Sequence, residues 1–335
     1  MPAYFETGFS VAELPWHGLG ELIPEDKKLS IQEGLVAAGL DWDVQLRPLC
    51  IAEQVASPQA VGLGMGADQI DPLPEDPLAG MEVPANATVR STDNKVLGVV
   101  GMRYHPLQNV DAFQWFQPFL DADVAHLHTA GSLHGGSRVW VLSKLNNDPM
   151  EITPGDEVNK FMLLSNSHDG TTSIRVGFTP IRVVCANTLA MAHSNTASAL
   201  LRVKHSKNVR HNLELVRETM DAANSRFEAT AEQFRLLART NVNSADLDRY
   251  IKIVLDCEEK PSTRTKNIIE EIVGRFEQPV GSLAGGTLWT AYNSVTEYLS
   301  YSRGRNTESR IASLWYGDSQ KVNQRALKSA VELAA

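Results

Sequence analysis

The chain of 335 residues is 43% hydrophobic and 21% charged, the balance of an ordinary globular protein long enough to bury a sizeable core. Its three cysteines, Cys50, Cys185 and Cys257, form no CxxC pair, which argues against a disulfide framework and for a reducing, cytoplasmic setting; the amino terminus lacks a signal peptide's basic start and apolar run, and no stretch reaches the eighteen or so apolar residues of a membrane span. The net charge of -9 argues against a polyanionic partner only as an average, because residues 1 to 100 hold five Lys/Arg against fifteen Asp/Glu while the remainder holds 26 against 25.

In chain order, Ser30 and Glu33 have the spacing of a capping box and predict a helix to Ala38, closed by Gly39. Leu40, Trp42, Val44 and Leu46 then alternate with polar residues and predict a strand. Residues 56–86 carry five prolines among glycines and acids, which predicts a loop or insertion. The GLGMG within it has no predicted strand before it and no helix after it, so it does not read as a nucleotide loop. Strands are predicted at Thr88 to Ser91 and Val96 to Gly101 around Asp93-Asn94. Asn109 is placed to cap a helix bearing Val110, Phe113, Trp115 and Phe116.

Two hairpins follow. One runs from His128 to Leu133 and from Arg138 to Leu145 across His134-Gly135-Gly136-Ser137. In the other, Phe161 to Ser165 faces the alternation of Ile174, Val176 and Phe178 across Asp169-Gly170, a two-residue turn signal of type I′. Neighbours on a strand point to opposite faces, so Ser167, His168 and Asp169 are not expected to converge as a catalytic triad. At least six strands joined by short turns predict an α+β fold with an antiparallel or mixed sheet.

Beyond Ser198 the pattern changes to helical spacing. A long helix is predicted from Leu213 to Leu237, with further helices around Leu247 to Leu255, Ile268 to Phe276, Thr287 to Leu299 and Gln320 to Leu333. This divides the chain into an α+β core, residues 1–212, and a helical region, residues 213–335.

Chemical motifs are sparse. No P-loop, HExxH or GxSxG is present, which points away from the common enzyme classes and from ATP, and no cofactor is expected. His126, His128 and His134 are candidate metal ligands, but no further cluster has matching spacing. Cys185, set in an apolar run, reads as a small core residue. The distinctive segment is Gly170 to Leu213, which holds Arg175, Arg182, Arg202, Lys204, Lys207 and Arg210 and no acid. With Arg138, these cations are candidates for holding phosphates, and Trp140 or Phe178 for stacking bases. The bland alternative is a solvated positive surface that balances the acidic first third, or an interface that pairs with that third in a neighbouring subunit.

Several segments together carry a family likeness: Pro15-Trp16-His17-Gly18-Leu19-Gly20, Val96 to Gly101 with Tyr104 and Pro106, Gly135 to Trp140, Leu163 to Leu189, and Gly286 to Asn293. In these the chain, from Trp16 to about Leu327, resembles the phage/plasmid-like protein family, a domain of unknown function found on phages, prophages and plasmids. The resemblance implies a part in replication, recombination or defence evasion. Hairpins followed by a helix are also similar in outline to single-strand annealing proteins, which form rings or filaments and bind DNA in a basic groove without ATP. The leading expectation is an oligomeric protein of the host cytoplasm that binds and anneals single-stranded DNA without a membrane partner. The alternatives are a metal-dependent enzyme using the three histidines and a binding protein that inactivates a host defence component.

Overall fold

A computed structural model of the chain describes residues 5–12, 20–51, 81–146, 149–182, 201–218, 224–257, 261–279, 285–304, 310, 313–314 and 317–335. The fold is α+β. Its larger sheet contains β1 (Phe5–Val11), β2 (Glu21–Ile23), β6 (Ala125–Leu133), β7 (Arg138–Leu145), β8 (Met150–Thr153), β9 (Asp156–Ser167), β10 (Ile174–Arg182) and β11 (Leu201–Val203). Their order is β11-β10-β9-β7-β6-β1-β2, with β8 beside β9. Only β1 and β2 run parallel, so the sheet is mixed. The smaller sheet, β3 (Val44–Ile51), β4 (Met81–Arg90) and β5 (Val96–Gly101), is antiparallel in the order β3-β4-β5.

The centre of the large sheet is covered on both faces. Val139, Trp140, Val141 and Leu142 of β7 and Phe161 to Ser167 of β9 are all buried, and a strand buried on both faces becomes a continuous apolar run rather than an alternation. Against the sheet pack the helices α1 (Ile31–Ala37), α2 (Asn109–Gln114) and α3 (Gln117–Asp121). The capping box opens α1 as its sequence requires, with both reciprocal bonds between Ser30 and Glu33 in place.

Asn109 departs from its expected role. Gln108 occupies the cap position of α2 and makes no capping bond, whereas the buried Asn109 donates its side-chain amide to the carbonyls of Leu40 and Trp42, at 3.1 and 3.3 Å. The expected loop over 56–86 is also shortened at its carboxyl end, because Met81 to Asn86 already belongs to β4. Pro84 is tolerated there because the ladder shifts register opposite Pro48 and Leu49, and a bulge accepts a residue that cannot donate.

Among the described residues, the carboxy-terminal third contains α4 (Val209–Glu218), α5 (Asn224–Arg239), α6 (Ser244–Leu255), α7 (Thr263–Glu277), α8 (Leu288–Tyr301) and α9 (Asp318–Ala334). The helix expected over Leu213 to Leu237 is thus described as α4 and α5. At the centre lies α8, whose residues are buried almost throughout. Its small polar residues return to their own backbone: Ser294 Oγ donates to the Thr290 carbonyl at 2.7 Å and Ser300 Oγ to that of Thr296 at 2.8 Å. Satisfied internally, they can stand inside a core.

The helices are fastened to the sheet at the β8–β9 hairpin. There Trp289 Nε1 donates to the carboxylate of the fully buried Asp156 at 2.7 Å, and Arg235 Nε donates to the Glu151 carbonyl at 3.3 Å. A hydrogen bond to a buried charge is worth about 1.5–3 kcal/mol. A Trp289→Phe variant is therefore expected to lose about 2 kcal/mol in denaturant unfolding; a variant as stable as the parent would remove this bond from any account of how the helices are held.

Candidate functional site

The basic residues singled out by the sequence divide into two groups. Arg175 on β10 stands directly opposite Arg202 on β11, between the pairs Ile174–Val203 and Val176–Leu201. Ile174, Val176 and Val203 are buried, so the alternation of the strands puts both arginines on the other face. Like charges placed opposite one another cost the ladder something, and here that cost is carried at the sheet's edge. The chain leaves β11 through exposed Lys204 and Lys207, neither of which makes an ion pair among the described residues. Arg175, Arg202, Lys204 and Lys207 thus follow one another along one margin of the sheet.

The other cations are directed elsewhere. Arg138, only 17% exposed, lies with Nε 3.8 Å from Asp169 and donates through Nη2 to Thr171 Oγ1 at 3.2 Å. Arg210 is 72% exposed, yet Nη2 and Nε approach Asp111 of α2 at 2.8 and 2.9 Å, which ties the first turn of α4 to α2. Arg182 ends β10 opposite Val158, and its side chain, like that of Phe178, lies outside the described residues. Trp140 is 3% exposed, sealed in the sheet and closed to an incoming base. Cys185 and the GLGMG segment also lie outside the described residues.

The turn after β9 is built differently from the two-residue form its Asp-Gly suggests. Ser165 pairs with Arg175 and the connection spans residues 168–173. Gly170 takes the left-handed conformation at φ +71°, but Asp169 does not, whereas a type I′ turn needs both. The Asp169 carboxylate instead organises the loop. It accepts from the hydroxyls of Ser167 and Thr171 and, at 2.9 Å, from the Thr171 N–H, the pattern of an Asx turn. Ser167 and Asp169 do meet, because Asp169 has left the strand. Burial alone would raise this carboxyl; the bonds from Ser167 and Thr171, with Arg138 nearby, overcome that and hold it below its ordinary range.

This loop is also where the two sheets join. A Cβ on Gly98 of β5 would stand 2.5 Å from the Asp169 Cα, so only glycine permits the approach. Beside it, His168 is fully buried. Its backbone N–H donates to the Ser137 carbonyl at 2.7 Å, and its Nε2 lies 2.9 Å from Asn109 Oδ1. Since the Asn109 amide nitrogen already donates to two carbonyls, its oxygen faces the ring and His168 Nε2 carries the proton. The Trp42 ring meets His168 edge-on at 5.4 Å, with the Arg90 guanidinium 5.4 Å from the Trp42 ring centre.

The three histidines considered as metal ligands do not converge. A bulge between Leu127 and Thr129 sets His128 out of register, and it packs edge-on against Phe161 with ring centres 5.0 Å apart. His126 Nδ1 lies 2.7 Å from Asn146 Oδ1. His134 is in the turn at the far end of β6, in a left-handed conformation. Among the described residues, no three His, Cys, Asp or Glu side chains are placed to hold a metal ion.

What sequence reasoning did not single out lies next to the basic margin. Tyr104 stacks on His205, with ring centres 4.6 Å apart and planes 26° from parallel. The Tyr104 hydroxyl donates to the Ser167 carbonyl at 2.8 Å, which seats the ring on the Asp169 turn. The His105 N–H reaches the His205 carbonyl at 3.3 Å, and His205 Nδ1 lies 3.3 Å from the carbonyl of His105. Pro84, Gly101, Met102, Arg103, Tyr104 and His205 together line an open depression of about 490 Å³. The one local signal for it was Arg103-Tyr104-His105, a cation beside an aromatic pair; its partner His205 is a hundred residues away.

Comparison with known proteins gives a family and no function. Residues 96–315, about two thirds of the chain, match the family model described as a domain of unknown function, DUF932. No curated protein and no solved structure matches the chain.

The buried His168 and the half-buried His128 and His205 set an acid limit on the fold. Burial lowers His168 to about 3, assisted by His205 and opposed by Asp169; burial also lowers His128 to about 3 and His205 to about 4. A folded value below the unfolded one, about 6.5, means that the neutral ring is the one the fold accepts. The stability His168 contributes is complete above pH 6.5 and is lost as the pH falls toward 3. A His168→Gln variant keeps a donor for Asn109 without a titrating ring. Its unfolding free energy is expected to fall less steeply over this interval, by up to about 1.4 kcal/mol per pH unit. Parallel slopes in denaturant titrations of the two proteins would contradict the assignment.

Proposed function

We propose that this chain, a member of the DUF932 family of unknown function, binds single-stranded DNA along the β10–β11 margin and promotes annealing of complementary strands without ATP. The observation that carries the reading is the succession of exposed Arg202, Lys204 and Lys207 along β11 and the chain leaving it, with Arg175 of β10 directly opposite Arg202, in a stretch of sequence from Gly170 to Leu213 without a single acid. Spaced cations of this kind contact phosphates irrespective of sequence and leave base edges available for pairing. Arg103, exposed across the depression from His205, extends the margin. Arg138 and Arg210 are left out of the contact set, because Arg138 is only 17% exposed beside the Asp169 turn and Arg210 reaches toward Asp111 of α2.

The resemblance to proteins borne on phages and plasmids supports a setting in replication or recombination. Assembly into a ring or filament belongs to the same reading and would place successive margins along one strand. The rival account of these cations is protective, since charged residues on a short edge strand discourage edge-to-edge aggregation.

The readings separate in a binding titration of labelled oligo(dT) over a salt series. The Lys204→Ala/Lys207→Ala double variant is expected to bind roughly tenfold more weakly, with the salt slope smaller by about 1.4, two contacts at roughly 0.7 each. Lys266→Ala, on an exposed lysine of α7, serves as the control and is expected to bind like the parent. If the parent retains no strand, retains only RNA, or is unchanged by the double substitution while the variant aggregates, the annealing reading fails.

A further inference from the structure

The depression beside the basic margin offers chemistry that a phosphate chain does not use. Its floor is the stacked pair Tyr104–His205, and its walls include Pro84 and Met102. Met102 is 62% exposed; its sulfur accepts from Asn86 Nδ2 at 3.5 Å, which holds the thioether at the edge of the depression, and sulfur makes favourable contacts with aromatic rings. Only Arg103 brings a charge to the rim. Burial keeps the His205 ring neutral near pH 7, so the stacked pair lining the depression is uncharged.

We propose that this depression holds one unstacked base of the bound single strand, laid against the Tyr104–His205 pair with Met102 and Pro84 at its edges, while Arg103 and Lys204 keep the flanking phosphates at the rim. The inference rests on the strand-binding reading and specifies how that strand is held. Its volume of about 490 Å³ falls within the range of small-molecule sites, and its open side lets a base enter while sugar and phosphates remain outside. The floor is organised before binding: the Tyr104 hydroxyl is bonded to the Ser167 carbonyl, and the backbones of residues 105 and 205 are bonded to each other. Little rotamer freedom is left to lose when a base arrives. Every base has a π face, so such a seat tolerates any sequence, which suits a protein that must anneal strands of any composition.

Oligo(dT) carrying one 2-aminopurine, and a strand of the same length made wholly of abasic sites, test the seat. With the parent protein, binding is expected to change the 2-aminopurine emission by stacking, and the abasic strand is expected to bind roughly tenfold more weakly. Tyr104→Leu should lose the emission change and the preference for bases, whereas Tyr104→Phe, which keeps the ring, should retain both. Should Tyr104→Leu not fold, Met102→Ala, altered at an exposed side chain, reads the same two quantities and is expected to diminish them. If the parent binds abasic and normal strands equally, or the emission change survives undiminished in Tyr104→Leu or, where that variant does not fold, in Met102→Ala, the base seat is wrong while strand binding stands. If neither strand is retained, both readings fall together.

Discussion

The contact on which the rest of the structure depends is that of the Asp169 turn with β5. A carboxylate this far from water is tolerated only when its oxygens are occupied. Asp169 meets that demand locally, through the hydroxyls of Ser167 and Thr171 and the Thr171 N–H. The loop so closed is rigid enough to be packed, and the bare Cα of Gly98 lets the second sheet reach its backbone. From this joint run the Tyr104 bond to Ser167 and the His168 contact with Asn109, which in turn holds the carbonyls of Leu40 and Trp42. A substitution at Gly98 or Asp169 would therefore disturb the seat of Tyr104 as well as the union of the sheets.

Much of this architecture was written in local patterns. The Ser30–Glu33 box, the alternation of Ile174 and Val176, the glycine-rich turn before Arg138 and the spacing within α6 to α9 are short-range signals, each realised where the sequence put it. Those that misled were polar residues with two available uses. Asn109 has the chemistry of a cap and is spent on a buried network; Asp169-Gly170 has the composition of a tight turn and forms a longer loop, because Asp169 finds hydroxyl donors on both sides. The short strands β2, β8 and β11 carry too few residues for their alternation to stand out, so β11 falls where helical spacing alone was expected, and the pairing of β1 with β6 spans more than a hundred residues.

The candidate site was legible only in part, for a related reason. A run of cations is visible in one dimension, but its partners are not. Nothing near Arg138 or Arg210 in the sequence announces Asp169 or Asp111, which lie 31 and 99 residues away. The same holds for the aromatic floor, since Tyr104 and His205 meet only because β11 returns to the edge of the large sheet beside the end of β5. Charge averaged over the chain misleads in the opposite sense. Glu6 and Asp93 belong to the acidic first third, yet both are taken up by Arg90, with Lys95 also near Glu6. Acids neutralised within their own chain contribute little at the β11 margin, where screening confines interactions to about 10 Å.

The arrangement of the margin separates two physical tasks by stiffness. Lys204 and Lys207 are exposed, long and lightly constrained, and a mobile ammonium can follow a phosphate chain whose spacing varies as it bends. Between them in sequence stands His205, held by backbone and ring alike, half-buried and neutral. Stacking decays within a fraction of a ring width, so it rewards a fixed plane; attraction to a phosphate falls slowly with distance and rewards reach. One rigid ring flanked by two flexible cations meets both conditions within four residues. Annealing also requires that a held strand give way to its complement. In the annealing proposed above, attachment through salt-sensitive phosphate contacts and only an occasional stacked base would leave most base edges exposed to an incoming strand, and would let the protein release the duplex once pairing removes the unstacked base from its seat.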